Sequence, residues 1–207
     1  NNMKDDNDEL DISKIEAGGL ELHNSEFNVR DVVEACVDIV APAAMGKGIL
    51  ISECIKPDVP RFAVADSNRV KQMLLNILNN SVKYTERGYI RVIVEMCPQK
   101  GLRFAVEDTG RGIPEGKLAS IFTPYIQAEY GDQFKGTGLG LSIVKEFAKF
   151  MGGDAFVASE FGKGSTFGFT IACDQVPKKS TTRSDLNQRK VSIIGSEQRA
   201  VQILQEL

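Results

Sequence analysis

Gly136-Thr137-Gly138-Leu139-Gly140-Leu141-Ser142-Ile143 is the stretch around which the chain is organised. Its three alternate glycines run straight into an amphipathic segment carrying Val144, Phe147, Ala148 and Met151. Glycines at that spacing let backbone amides approach an anion with no Cβ in the way. The helix start they lead into adds unpaired N–H groups and the positive end of the helix dipole. Together these make a phosphate site. Because a glycine-rich turn can equally close a tight corner, the rest of the sequence is read for what would complete a nucleotide site.

Upstream, Asp66 caps a helix in which Val70, Met73, Leu74, Ile77 and Leu78 recur at i, i+3, i+4, i+7 and i+8, a buried stripe. Beside it Arg69, Gln72, Asn76, Asn80 and Lys83 step by 3, 4, 4 and 3 along one polar face, and Asn79 adds another asparagine. Asparagine is a poor interior helix residue because its amide competes with the backbone. A solvated face ordinarily uses Glu, Lys or Gln, so this one reads as a site in preference to plain surface. An asparagine oxygen there could ligate Mg²⁺, a hard cation that takes oxygen and keeps its waters.

Two alternating runs follow. Ile90, Val92, Val94 and Met96 share one face between Tyr89 and Cys97, and Leu102, Phe104 and Val106 share another after Pro98-Gln99-Lys100-Gly101. So short a turn predicts an antiparallel hairpin. Asp108 falls in phase with Phe104 and Val106 and so faces the core, where a carboxylate needs a partner. Asp108-Thr109-Gly110-Arg111-Gly112 has two readings. It is an Asp-initiated turn with glycines for positive φ, or a buried acceptor for a base amine with Gly110 and Gly112 admitting the ring. The residues alone leave both open.

The flanks are less informative. Leu10 to Ala17 reads as the last turns of a helix closed by Gly18-Gly19. His23, the only histidine, falls on the polar side of the Leu20/Leu22 alternation and reads as a surface residue. Asn28 is a plausible N-cap for a helix carrying Val32, Val33, Cys36, Val37, Ile39 and Val40 and fraying through Pro42 to Gly46. Strands begin at Ile49 and Phe62. Pro114 opens a short helix that ends in Ile121-Phe122-Thr123-Pro124-Tyr125, and Gln127 to Lys135 has the polarity of a lid. Strands at 155–159 and 166–171 flank Gly162-Lys163-Gly164-Ser165, which lacks the strand-to-helix setting of a P-loop. Residues 174–189 read as a linker, and Lys190 to Gly195 as a new strand followed by a helix.

Composition is that of an ordinary globular chain: 207 residues, 42% hydrophobic and 26% charged. A net charge of -3 offers no electrostatic argument for nucleic acid or an anionic membrane. Cys36, Cys54, Cys97 and Cys173 have no ligand spacing and read as reduced thiols of a cytosolic protein. No apolar run approaches the ~18 residues of a membrane span, which leaves room for an anchor elsewhere in a longer, membrane-bound receptor.

In order, Asn76-x-x-x-Asn80-x-x-Lys83-Tyr84, Asp108-x-Gly110-x-Gly112, Phe122-x-x-Tyr125 and Gly136-x-Gly138-x-Gly140 resemble the asparagine, first glycine, phenylalanine and second glycine boxes of sensor histidine kinases, with Gly164-Ser165-Thr166-Phe167 fitting as well. The resemblance covers about residues 8–173 and is nearest in style to hybrid histidine kinases of the GHKL ATPase superfamily. It implies a Bergerat-type α/β two-layer sandwich: a mixed, mostly antiparallel sheet with helices on one face and ATP between helix and lid. It implies these parts: residues 1–19 ending a dimerisation hairpin, 20–174 the ATP-binding catalytic domain, 175–189 a linker, and 190–207 the start of a receiver-like domain.

Carried over by position, the resemblance gives Asp108 the adenine amino group, with Thr166 helping through water. Tyr84 packs on the base, and Gly110, Gly112 and Ile113 line its pocket. Asn80 ligates Mg²⁺ with Asn76 beside it, and Lys83 approaches the phosphates. The Gly136 loop, through amides of Gly138, Leu139 and Gly140, holds the β- and γ-phosphates, and Lys135 reaches the γ-phosphate. Phe122 and Tyr125 support the lid.

The resemblance implies a kinase that moves the ATP γ-phosphate to a histidine on a separate hairpin, and from there to a downstream receiver or phosphotransfer protein. No phosphoacceptor is expected in this chain: His23 lies after the hairpin and is followed by Asn24-Ser25, without the acidic residue and proline of the family. The lid is short, Tyr125 stands for a common Phe, and Gly195-Ser196-Glu197 replaces the acidic residues that follow the first strand of a working receiver. A monomeric fragment of a homodimeric protein is expected. Other ATPases of the superfamily, and a nucleotide-sensing or docking module without transfer, share parts of the pattern.

Overall fold

The computed structural model describes residues 19–97, 101–125 and 138–175. In order they form β1 (Ser25–Asn28), α1 (Val29–Gly46), β2 (Ile49–Ile55), β3 (Phe62–Ala65), α2 (Ser67–Tyr84), β4 (Gly88–Cys97), β5 (Gly101–Asp108), α3 (Glu115–Leu118), α4 (Gly140–Phe150), β6 (Ala155–Glu160), β7 (Gly164–Ala172) and β8 (Asp174–Gln175). The expected helix before Gly18, the lid and the segment after 175 lie outside the described residues.

Local sequence fixes the helix starts. Asn28 caps α1, its Oδ1 accepting from the Arg30 N–H at 3.1 Å. Asp66 caps α2, taking the N–H groups of Asn68 at 3.1 Å and Arg69 at 3.2 Å. Its second oxygen accepts from the backbone N–H of His23, whose side chain is exposed as expected.

α1 differs from expectation in one respect. It runs unbroken through Pro42 to Gly46. The proline is on the exposed side, where water can serve the carbonyl it frees, while Ala41 and Ala44 stay packed. Ile39, one of the apolar residues of this helix, is nonetheless 64% exposed. The stripe is set by Val33, Cys36, Val37, Val40 and Ala44, and Ile39 sits roughly a third of a turn from it at 3.6 residues per turn.

The main sheet has the order β2-β4-β5-β7-β6, and a small sheet has the order β1-β3-β8. Among the described strands only β2 and β4 pair in parallel. The predicted hairpin is present, β4 and β5 pairing antiparallel with Cys97 opposite Gly101 and Ile90 opposite Asp108. One face of the main sheet is apolar: Ile90, Val92 and Val94, then Leu102, Phe104 and Val106, then Phe167, Phe169 and Ile171, all buried. Phe104 and Phe169 stack with centroids 5.1 Å apart. Against this face lie α1, α2 and α4, with α1 on α2 and α2 on α4.

The other face is a cross-strand ladder of half-buried polar and aromatic groups. Tyr89 Oη donates to Glu107 Oε1 at 2.8 Å, and the Arg103 guanidinium lies 4.2 Å over Phe156. That is the two-layer sandwich, mixed and mostly antiparallel with its helices on one side. All four cysteines are free thiols, and burial pushes that of Cys36 up to about 11.

Candidate nucleotide site

Asp108 ends β5 on the helix-covered face and is 7% exposed. Its Oδ1 accepts the Gly110 N–H at 2.9 Å and its Oδ2 accepts the Ser81 hydroxyl at 3.2 Å. Burial lifts the carboxyl above its ordinary value against the pull of those donors and of the Ser165 backbone, with nearby Glu107 adding to the rise. A carboxylate has about four lone-pair positions, so this one keeps acceptor capacity for a further donor.

Gly110 lies against the same group. A Cβ on it would stand 2.8 Å from Asp108 Oδ1, 2.8 Å from Tyr84 O and 3.1 Å from Thr85 Oγ1. Thr85 is fully buried, and its hydroxyl has no hydrogen-bond partner among the described residues. An orphaned hydroxyl beside a carboxylate with spare lone pairs is a pocket that wants a polar ligand.

Gly112 does something else. Its φ is 68°, and a Cβ there would fall 2.1 Å from the Glu160 carbonyl. This glycine lets the loop after β5 close on the β6–β7 turn, where Arg111 O accepts the Gly162 N–H at 2.7 Å. Ile113 is tied to the same corner through its N–H to Ser159 Oγ at 2.8 Å.

The last turns of α2 supply the facing wall. Asn80, Lys83 and Tyr84 are half-buried. The Tyr84 ring has the Arg111 guanidinium 4.7 Å and the Lys83 ammonium 5.0 Å from its centroid. Lys83, Tyr84 and Arg111, together with Glu86, Arg87, Thr109 and Gly110, line a cleft of about 380 Å³ beside the Asp108 carboxylate, which Gly110 contacts. Arg111 and Ser81 were missed in the sequence. Arg111 had a signal, a cation inside a glycine motif, whereas Ser81 had none, because its meaning depends on Asp108.

The polar face of α2 divides in two. Its N-terminal part is a helix contact: Arg69 lies 4.5 Å over Phe147 of α4 and donates to Gln72 at 2.8 Å. Asn76 is buried, its Nδ2 donating to Gly140 O at 3.3 Å, so it holds the first turn of α4. Of this face Lys83 reaches the cleft, and Asn80 stands about one turn before it on α2.

α4 begins at Gly140 with Leu139 before it, fully buried, and among the described residues no side-chain hydrogen bond caps that start. The Tyr125 N–H donates to Gly138 O at 3.2 Å, which joins the chain on either side of 126–137. Tyr125 has φ 61° and is 67% exposed. Phe122 packs edge-on to Phe167 with centroids 6.4 Å apart. Lys135 and Gly136 lie outside the described residues.

Thr166 is a correction. Ser165 pairs with Asp108, so the two share the buried face; Thr166 pairs with Glu107 and points to the opposite one. A one-residue step along a strand reverses the face. The residue beside Asp108 is Ser165, 8% exposed, its Oγ 2.9 Å from that of Ser159.

Residues 65–175 match the family described as histidine kinase-, DNA gyrase B- and HSP90-like ATPases. The chain belongs to this family. Among curated relatives, the chain is 42% identical over 186 residues to hybrid signal transduction histidine kinase B of Dictyostelium discoideum, covering 87% of the chain and 9% of that protein. Among solved structures it resembles full-length ShkA in complex with AMPPNP, with TM-score 0.75 and 31% identity over 82% of this chain and 35% of that one. It also resembles the isolated catalytic domain of histidine kinase ThkA, with TM-score 0.60 and 28% identity over 72% of this chain and 97% of that one. The chain thus spans about a tenth of the curated relative's length, and the likeness to the ThkA catalytic domain agrees with the sandwich described above.

Proposed function

We propose that this chain binds ATP with Mg²⁺ and passes the γ-phosphate to a histidine on a helical hairpin of the whole protein. The observation that carries the reading is the buried Asp108 carboxylate, held by Ser81 and Gly110 beside a Thr85 hydroxyl that has no partner among the described residues. An adenine edge, with an amine donor next to a ring acceptor, answers both groups. Gly110 leaves the ring its approach, and Tyr84 packs on its face. Ser165 rather than Thr166 stands with Asp108, while Gly112 and Ile113 shape the loop behind.

The uncapped start of α4, from Gly138 through Leu139 to Gly140, offers N–H groups and the dipole's positive end to the phosphates. Asn76 secures that start against α2, and Lys83 adds a cation. Asn80 supplies a carboxamide oxygen suited to Mg²⁺. When bound, Mg²⁺ would neutralise charge on the β- and γ-phosphate oxygens, which is most of what phosphoryl transfer asks of a protein. Roles for Lys135 and Gly136 rest on the resemblance.

The relatives' name, hybrid signal transduction histidine kinase, supports the rest of the proposal. Residues 1–19 end the hairpin that carries the acceptor histidine, contributed by the same chain or a dimer partner. Residues 20–174 are the catalytic domain, 175–189 a linker and 190–207 the start of a receiver-like domain. A receiver or phosphotransfer protein takes the phosphate onward. Among the described residues no helix is long and apolar enough to cross a membrane; a cytoplasmic position is part of the proposal.

The test is transfer in trans. A separate hairpin bearing the acceptor histidine is incubated with this chain and γ-labelled ATP. Label on that histidine, lost with Asp108→Asn, supports the reading. ATP bound without any label passing to the hairpin contradicts it.

A further inference from the structure

α2 ends without a left-handed glycine: Thr85 is extended, with φ -98° and ψ 126°. The carbonyls of its last turn then need other donors. Ser81 O takes the Thr85 N–H at 3.0 Å, and Tyr84 O takes the Arg111 N–H at 3.4 Å. The remaining two are served by one side chain distant in sequence. Lys47 Nζ donates to Val82 O at 2.6 Å and Lys83 O at 3.2 Å, and reaches Thr85 O at 3.3 Å as well.

Lys47 is itself held in place. It caps the C-terminus of α1, its N–H bonded to Ala44 O at 3.0 Å, and Gly48 with φ 67° then turns the chain into β2. An ammonium has three donors on one point charge. Here they converge on the negative end of the α2 dipole, where a cation is favoured.

The turn it ties is the one carrying Asn80, Ser81, Lys83 and Tyr84. We propose that Lys47 is a positioning residue for the nucleotide site. By holding three carbonyls it sets the rotation of the last turn of α2, and with it the direction in which Lys83 and Tyr84 meet the ligand. This rests on the ATP-binding reading above. In sequence Lys47 is only a lysine between two glycines; its role comes from the tertiary fold.

The experiment is a double-mutant cycle on the whole chain, read as calorimetric affinity for Mg·ADP below the melting temperature of every variant. Lys47→Met keeps the stem and removes the donors; Lys47→Gln, which keeps a donor, serves if Lys47→Met does not fold. We expect Lys47→Met to weaken binding by about tenfold, Lys83→Ala to cost about as much in the parent, and Lys83→Ala to cost less than about twofold in the Lys47→Met background. Lys47→Arg should recover much of the loss.

Parent-like affinity in Lys47→Met, or full additivity with Lys83→Ala, overturns the proposal, since a role in stability alone lowers the melting temperature and leaves the cycle uncoupled. If the parent itself binds no ADP, the nucleotide reading fails, and amide exchange then decides the role of Lys47. Faster exchange confined to residues 82–85 in Lys47→Met supports the tie. A uniform increase, or none, overturns it.

Discussion

Ser81 Oγ donates to Asp108 Oδ2 across 3.2 Å, joining the last turn of α2 to the last residue of β5. Both residues are buried, at 2% and 7% exposure, so water cannot replace a lost donor. Ser81→Ala should therefore destabilise the fold by about 1–3 kcal/mol and raise the Asp108 carboxyl further. Denaturant unfolding and a carboxyl titration by NMR check this. An unchanged titration in the variant means the hydrogen bond contributes little.

Asp108→Asn separates binding from stability. Burial lifts the Asp108 carboxyl above its ordinary 3.8, so the folded chain keeps this proton to higher pH than the unfolded chain. The stability this group contributes is full below 3.8 and is lost as pH rises through the raised folded value. The neutral variant should accordingly equal or exceed the parent in stability at neutral pH and lose that advantage on acidification. Melting curves across that range test it. A large loss of stability at neutral pH would contradict the account.

Gly110 and Gly112 belong to one motif and answer to different constraints. Gly112→Ala places a Cβ 2.1 Å from the Glu160 carbonyl at a φ of 68°. It should cost about 2 kcal/mol or more, through backbone that cannot yield. Gly110→Ala meets Asp108 Oδ1 and the Tyr84 backbone carbonyl at 2.8 Å without a positive φ, so it should cost less stability than Gly112→Ala while also disturbing the pocket. Unfolding midpoints set beside nucleotide affinities of the folded fraction distinguish them. The reverse order of effects would refute this division.

Ser165 and Thr166 make a paired control. Thr166→Ala, on the open face beside Glu107, should leave nucleotide affinity within about twofold of the parent, whereas Ser165→Ala, beside Asp108, should lower it. A loss confined to Thr166→Ala would return the role to that residue.

These contrasts mark how far the sequence could be read. α2 and the β4–β5 hairpin were legible because their apolar residues repeat at 3.6 and at 2, and Asp108 was seen to face inward by the same alternation. The family resemblance, drawn from motifs in order, agrees with the match over 65–175. What depends on tertiary pairing was not legible. The alternation of Phe167, Phe169 and Ile171 already puts Ser165 on the buried face and Thr166 on the other, but that Ser165 stands opposite Asp108 comes only from the strand pairing. Arg69 and Asn76 carry the residue types of a site and face α4. Lys47 and Ser81 gain their roles only from groups that the fold brings to them.

The most direct measurement is calorimetric binding of ATP and ADP to this chain, with and without Mg²⁺, beside Asp108→Asn and Asn80→Ala. The account predicts adenine-nucleotide binding that Mg²⁺ strengthens in the parent, that Asp108→Asn abolishes while remaining folded, and that no longer responds to Mg²⁺ in Asn80→Ala. Parent-like ATP affinity in a folded Asp108→Asn variant would contradict the central claim that the buried carboxylate receives the base.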